Sequence, residues 1–248
     1  MRRLVGLAAV GLMLGGVLGG AQNSAPADDA ARRKAALSVL DRASGLFSIY
    51  GARAGTALTV VTELTPQAVQ RGRWKNGADL EVTASAADGD SVGAAHGRIG
   101  AGVVTTVLAV PVSKTPVRVT VHVRDGQGSA ADWAKIDDEP AALVGDPMVY
   151  RSSSRIDARP VADFEFARRE RIRIDWPVSV PLDTHDVRLL DRNGRAIPVE
   201  LPLAADADHR RLTLEMGLSG FGAGDYLIEL TARAHGISER RLLAIRVK

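Results

Sequence analysis

From Thr56 to the C-terminus, apolar residues recur at every second position, a period that admits little except β-strand. The run Val117–Arg124 is the plainest case: Val117, Val119, Val121 and Val123 face one way, and Arg118, Thr120, His122 and Arg124 face the other. Leu80, Val82, Ala84 and Ala86 alternate in the same manner with Asp79, Glu81, Thr83 and Ser85. Leu58, Val60, Thr62 and Leu64 alternate with Thr59, Val61 and Glu63. A further strand is expected around Gly93–Ile99, after the turn residues Ala87-Asp88-Gly89-Asp90, and Val103–Val110 is apolar on both faces, as in a central strand.

The pattern resumes in the second half. Ile172, Ile174 and Trp176 oppose Arg171, Arg173 and Asp175; Leu212, Leu214 and Met216 oppose Arg211, Thr213 and Glu215. Tyr226, Ile228 and Leu230 mark one late strand, and Leu243, Ile245 and Val247 another. Val187–Leu190 and Ile197–Leu201 flank Asp191-Arg192-Asn193-Gly194, a tight-turn sequence. Periodic helices between strands, which an α/β fold requires, are absent after residue 47. The expected class is therefore all-β, with two tandem antiparallel immunoglobulin/fibronectin-III-like sandwiches. The first is placed at 54–140 and the second at 160–248. Residues 141–159 are read as a connection holding one short strand, Pro147–Arg151.

One stretch bears on the sandwich type. Gly224-Asp225 precedes Tyr226 at the start of a late strand, a placement that lets the phenol hydrogen-bond back to the preceding connection as a tyrosine corner. This assigns Tyr226 to architecture, not to function.

The N-terminal end reads differently. Residues 1–21 hold Arg2 and Arg3, then the apolar, Gly-rich run Leu4–Leu18, then Gly19-Gly20-Ala21. That order matches a cleavable secretory signal peptide, and the run is too short and glycine-rich for a retained anchor. Residues 22–53 follow as a linker and one short amphipathic helix over about Asp28–Ala43, with acids first, bases after, and Ala36, Leu40, Ala43 and Phe47 on one face. Its narrow apolar face fits packing on a neighbouring domain. The expectation is export, to the periplasm or beyond, with no stable membrane insertion after cleavage.

Charge and cysteine content exclude several functions. The whole chain has 32 Lys+Arg, 29 Asp+Glu and a formal charge of +3. Removing the leader removes two arginines and no acid, so the basic excess nearly vanishes and nucleic-acid binding loses its support. With no cysteine, a disulfide framework, a thiolate nucleophile and thiolate-held zinc or iron–sulfur are excluded.

Several segments also resemble a known family. Gly145–Arg151 (GDPMVYR), Phe166–Val178, Arg188–Val199 and Gly222–Thr231 resemble, in order, the C-terminal region of exported bacterial proteins related to von Willebrand factor A, of the acidobacterial type. Val60–Thr83 is similar to the module preceding it, so the resemblance spans about Leu46–Lys248. It implies paired β-sandwich modules of an exported protein. Full-length members carry a von Willebrand A domain with an Asp-x-Ser-x-Ser metal site. Here Asp41-Arg42-Ala43-Ser44 has the wrong spacing and Ser152-Ser153-Ser154 lacks the Asp, so that metal chemistry does not transfer.

Catalytic patterns are poor. Gly217-Leu218-Ser219-Gly220 lacks the nucleophile-elbow spacing, and Gly97–Gly102 leads into a strand, without the helix a phosphate cradle needs. His96, His122, His185, His209 and His235 show no paired metal-ligand spacing. Asp206-Ala207-Asp208-His209 resembles a metal cluster but is short of oxygens for calcium. Arg169, Arg171 and Arg173 form the most charged feature, expected on the outer face of a strand opposite Ile172 and Ile174 and balanced by nearby acids.

The reading is a non-enzymatic exported sandwich protein without cofactor or metal, acting as an interaction or structural module toward other envelope or extracellular proteins. The alternative is a glycan- or anionic-ligand-binding protein using Arg169, Arg171 and Arg173, or Trp74 and Trp133 if exposed.

Overall fold

The computed structural model describes residues 26–42, 45–54, 57–136, 142–153, 156–206 and 210–248. The leader, and Ala207, Asp208 and His209 of the metal-like cluster, lie outside the described residues. The elements of the first half are α1 (Pro26–Ser38), β1 (Phe47–Ala54), β2 (Ala57–Leu64), α2 (Pro66–Gln70), β3 (Ala78–Ser85), β4 (Ser91–Ile99), β5 (Thr105–Pro111), β6 (Arg118–Asp125) and β7 (Gly128–Lys135). Those of the second are β8 (Met148–Ser153), β9 (Ile156–Pro160), β10 (Glu165–Phe166), β11 (Arg171–Pro177), β12 (Thr184–Asp191), β13 (Leu203–Asp206), β14 (Arg211–Gly217), β15 (Gly224–Ala234) and β16 (Ile237–Val247).

Strand pairing makes two immunoglobulin-like sandwiches. In the first, a three-stranded sheet β1-β2-β5 faces a four-stranded sheet β4-β3-β6-β7. The period-two residues supply the core between them: Leu80, Val82, Val119, Val121 and Val123 from one sheet meet Phe47, Leu58, Val60 and Val110 from the other. In the second, β10-β16-β15-β12 faces β13-β14-β11-β8-β9. Ile172, Ile174, Trp176, Leu212, Leu214 and Met216 are buried there against Ile228, Leu230, Leu243, Ile245 and Val247. The pairing is antiparallel except where β10 runs parallel to β16. Tyr226 stands at the start of β15, and its hydroxyl donates to the Gly222 carbonyl at 3.0 Å. The tyrosine corner is formed as its sequence implies.

Five expectations change. Val103–Val110, expected as a central strand, is the edge strand β5 of its sheet, with Val107 exposed. Phe47 opens β1 and packs on Trp74 (6.3 Å between ring centroids) instead of extending a helical face. The sequence FSIYGARA was unreadable by period because Gly51 must leave room for Ile136, whose Cδ1 would lie 2.2 Å from a Cβ there. Helix α1 ends at Ser38, after which Leu40 still reaches the core of the second sandwich. The Pro147–Arg151 strand is not a linker element: β8 is hydrogen-bonded to β11 and carries β9 with it. Residues 197–202 form no strand; only an Ala196–Leu190 bridge extends the Asp191–Gly194 turn.

Helix α1 precedes the first sandwich in the chain but packs on the second. Ala36, Leu37 and Leu40 join its core, with the helix against β15 and β16. Arg240 pairs with Asp29 of the helix and, at 3.3 Å, with Glu229. Arg246 donates to the Leu40 carbonyl at 3.1 Å and to Asp41 at 2.8 Å.

The sandwiches themselves are docked. Val61 and Glu63, on the face of β2 turned away from the first core, are buried. Tyr50 donates to the Pro147 carbonyl at 2.7 Å and meets Phe164 edge-on at 5.0 Å. Arg53 N–H donates to Asp146 at 2.9 Å, and Asp146 N–H returns a bond to the Arg53 carbonyl at 3.0 Å. The Glu63 carboxylate accepts the backbone N–H groups of Ala162 at 2.9 Å and Asp163 at 3.0 Å. The carboxylates of Glu63 and Asp146 thus take up backbone N–H groups that would otherwise be buried without partners.

Candidate functional site

The sequence nominates the arginine run, and β11 divides it. Arg169 lies in the turn before the strand and Arg171 begins it; both are exposed, and neither has an acidic partner among the described residues. Arg173 is committed elsewhere. It pairs with Asp175 at 3.1 Å and lies over the Tyr150 ring at 4.3 Å. Asp175, buried, also accepts the Thr213 hydroxyl at 3.0 Å and lies 3.8 Å from Arg211. On the outer face of this sheet Arg173 and Arg211 are linked through Asp175 and Asp206, while Arg171 and Glu215 share the face without being part of that network. Like numbers of each charge occupy it.

A cleft of about 500 Å³ opens where α1's trailing segment, the first sandwich and the second meet. Its volume and its place between domains are those of a ligand site. Its walls include Arg42, Asp132, Arg151, Asp163, Glu165 and Lys248. The free edge of β10 forms one wall, and side chains occupy its backbone groups. Arg151 donates to the carbonyls of Asp163 and Glu165, both at 2.9 Å. The Asp163 carboxylate accepts Glu165 N–H at 3.0 Å and Glu170 accepts Ala167 N–H at 2.6 Å. Arg42 pairs with Asp132 at 3.6 Å, Arg151 with Glu170 at 3.9 Å, and Lys248 with Glu165. Burial pushes the Asp163 carboxyl above its usual range, against the opposing effects of the Glu165 N–H and Arg151. Such saturation closes the edge to an added strand, the usual way exposed edges are protected.

These residues are distant in sequence, and their types alone carry no signal. Only the β8 register, which puts Arg151 on the inner side beside Ile172, brings Arg151 to the β10 edge.

The two nominated tryptophans separate. Trp74 is 1% exposed, with φ of 57°, and is a core residue of the first sandwich. It cannot be a stacking platform. Trp133 is 45% exposed on β7, with the guanidinium of Arg118 at 3.9 Å and that of Arg42 at 5.0 Å from its ring centroid. His96, His122 and His185 are exposed on strands, while His235 occupies a turn and donates its N–H to Asp183 at 3.0 Å. Asp206 of the metal-like cluster pairs with Arg211 at 3.3 Å. Ser219 lies in a turn where its carbonyl accepts Arg168 at 3.2 Å. Among the described residues no three of His, Asp and Glu gather as metal ligands, and no helix is long and apolar enough to cross a membrane.

Comparison with protein-family models and with curated proteins finds no match. Among solved structures the chain is similar to the titin immunoglobulin tandem A164–A165, at 11% identity, 83% of this chain, 99% of that chain and a TM-score of 0.26. Murine CEACAM1b aligns at 7% identity over 82% of this chain and 100% of that chain, with a TM-score of 0.23. Bovine butyrophilin aligns at 9% identity over 82% and 100%, with a TM-score of 0.26. At these scores the likenesses carry no functional argument, and the fold class rests on the strand pairing itself.

Proposed function

We propose that this chain is an exported, non-catalytic structural and interaction module that presents its surfaces to other envelope or extracellular proteins as one rigid body. The observation that carries this reading is the junction between the sandwiches. Arg53, Glu63 and Asp146 are buried there in reciprocal hydrogen bonds, and α1 reaches from the start of the first sandwich to the back of the second. Tandem domains move relative to one another unless their interface holds them; the buried hydrogen bonds here support a fixed arrangement. A ligand-binding reading through Arg169, Arg171 and Arg173 draws only on Arg169 and Arg171, since Arg173 is paired. The Gly-rich leader supports export, and the ordered motifs from Gly145 to Thr231 support kinship with the tails of von Willebrand factor A-related exported proteins.

Crosslinking with mass spectrometry of the full chain in envelope fractions tests the reading. Crosslinks to a second envelope protein are the expected result, together with a mature N-terminus near Gln22. Recovery of uncrosslinked chain carrying only hydrolysed reagent refutes the interaction role, and recovery from the cytosol with Met1 intact refutes export.

A further inference from the structure

Two sandwiches have four sheets, and each sheet turns one face away from its own core. Three of those outer faces are occupied or neutral. The β1-β2-β5 face, with Tyr50, Val61 and Glu63, is covered by the second sandwich. On the β10-β16-β15-β12 face α1 covers β15 and β16, and on β12 Arg188 is paired with Asp186 and Glu229. The β13-β14-β11-β8-β9 face balances three arginines with three carboxylates. The outer face of β4-β3-β6-β7 alone is both open and unbalanced.

Register sets its side chains in rows. Arg98, Asp79, Arg124 and Ser129 form one; His96, Glu81, His122 and Ala131 the next; Ala94, Thr83, Thr120 and Trp133 a third, with Arg118 and Lys135 beyond. Four permanent cations therefore accompany two carboxylates, and two imidazoles flank Glu81. The Arg98–Asp79 pair, at 3.2 Å, is exposed, with side chains 74% and 69% accessible, and so ties the strands only weakly; the face keeps more cations than carboxylates.

We propose that this face docks a carboxylate-rich protein surface, with Trp133 and its stacked Arg118 as the anchor. The proposal rests on the interaction-module reading and names its partner's chemistry. Trp and Arg dominate interface hot spots, and complementary charge guides association. Asp79 and Glu81 argue for a protein over a uniform polyanion. They repel an unbroken row of sulfates or phosphates, but match a surface where bases are interspersed among acids. Four strands spaced about 4.8 Å, each about eight residues long, give a face of roughly 500 Å². That is below the ~800 Å² per partner of stable complexes, so the contact is transient.

The test is a titration of the full mature chain at low salt, read by tryptophan fluorescence. Trp133 is the exposed indole, while Trp74 and Trp176 are buried. The probes are a dodecapeptide of four Glu-Glu-Lys repeats and heparin. Saturable change with the peptide is expected, with Kd raised at least tenfold in Arg98→Glu/Arg124→Glu, in Trp133→Thr by a loss followed calorimetrically, and not in Arg192→Glu, a turn residue of the second sandwich. Near-UV circular dichroism verifies that each variant is folded. No response to the peptide, equal affinity in the double variant, or tighter binding of heparin overturns the proposal. Partner crosslinks confined to the Arg171 face overturn it while leaving the interaction-module reading intact; absence of any partner defeats that reading itself.

Discussion

Glu63 offers the sharpest test of how the sandwiches are joined. The residue is 4% exposed, and its Oε2 accepts two backbone N–H groups from the other sandwich, at 2.9 and 3.0 Å. Arg159 lies 3.8 Å from Oε1. Glu63→Ala strands both N–H donors, Ala162 being buried itself. Each unsatisfied buried donor costs about 1–3 kcal/mol, so the variant loses about 3 kcal/mol or more. Glu63→Gln keeps an acceptor oxygen for both and removes the need to bury a charge, so its loss is about 1 kcal/mol or less.

Both variants lack the titrating carboxyl and so differ from wild type in pH response. Burial, the largest influence, raises the Glu63 carboxyl above its usual range, against Arg151, the two N–H groups and Arg159. A raised folded value means the native state holds the proton more tightly than the unfolded chain. Stability from this group is therefore greatest below the unfolded carboxyl value of about 4.3 and falls as pH rises through the folded value. Urea unfolding of wild type and Glu63→Gln between pH 4 and 7.5 measures it: the difference between them should move in favour of Gln as pH rises. Equal losses in Ala and Gln, or a difference moving the other way, refutes the account of Glu63 as a buried acceptor whose charge opposes its burial.

Other consequences are quicker to check. Tyr226→Phe removes only the hydrogen bond to Gly222 and should cost about 0.5–1.5 kcal/mol in urea unfolding, with the fold unchanged. Trp74→Ala empties the space beside Phe47 and should cost about 3–5 kcal/mol, unfolding the first sandwich before the second. Arg246→Met removes the bonds to Leu40, Asp41, Asp225 and Glu165 together, and hydrogen exchange in α1 should accelerate while that in β15 does not. Burial would raise the Asp125 carboxyl, but hydrogen bonds from Arg73, Gln127 and Trp74 outweigh it and hold the group below its usual value. Its stabilisation is complete above about pH 4 and fades as pH falls, so Asp125→Asn should converge on wild type in acid.

What could be read from sequence was whatever depends on period and on local turn chemistry. The valines of β6, the Ile172–Trp176 alternation and the Tyr226 corner each carry their own signal within a few residues. The two sandwiches followed from those. β7, with Gly-Ser-Ala-Ala-Asp-Trp-Ala-Lys, offers small residues on both faces, since it is an edge strand whose inner positions are largely Ala. Its period is therefore silent. The strand at Pro147–Arg151 was legible, but its place in the second sandwich was not: Arg151 occupies an inward position, because its guanidinium is needed at the β10 edge and over Phe166. Trp74 stands as a candidate accessible aromatic in the sequence, but in the structure Arg73 pairs with Asp125 beside it and the indole is buried. The Arg171 row was visible; the pairing of Arg173 with Asp175 was visible only as a charge balance.

The placement of α1 ties these observations to assembly of the chain. Residues 26–42 are synthesised well before their docking partners on β16, among them Arg240 and Arg246. Domains fold largely in order of synthesis, so the helix has no surface to bind until β15 and β16 have paired. Its weak intrinsic stability as a thirteen-residue segment keeps it from forming a persistent alternative structure meanwhile. The same contacts that make α1 late also make it a check on completion. Arg42 holds Trp133 and Asp132 on the first sandwich while Asp41 holds Arg246 on the second. Only when both sandwiches are native can adjacent residues of one short segment satisfy both. The rigid presentation of the β4-β3-β6-β7 face is in this way coupled to the folding of the sandwich that does not contain it.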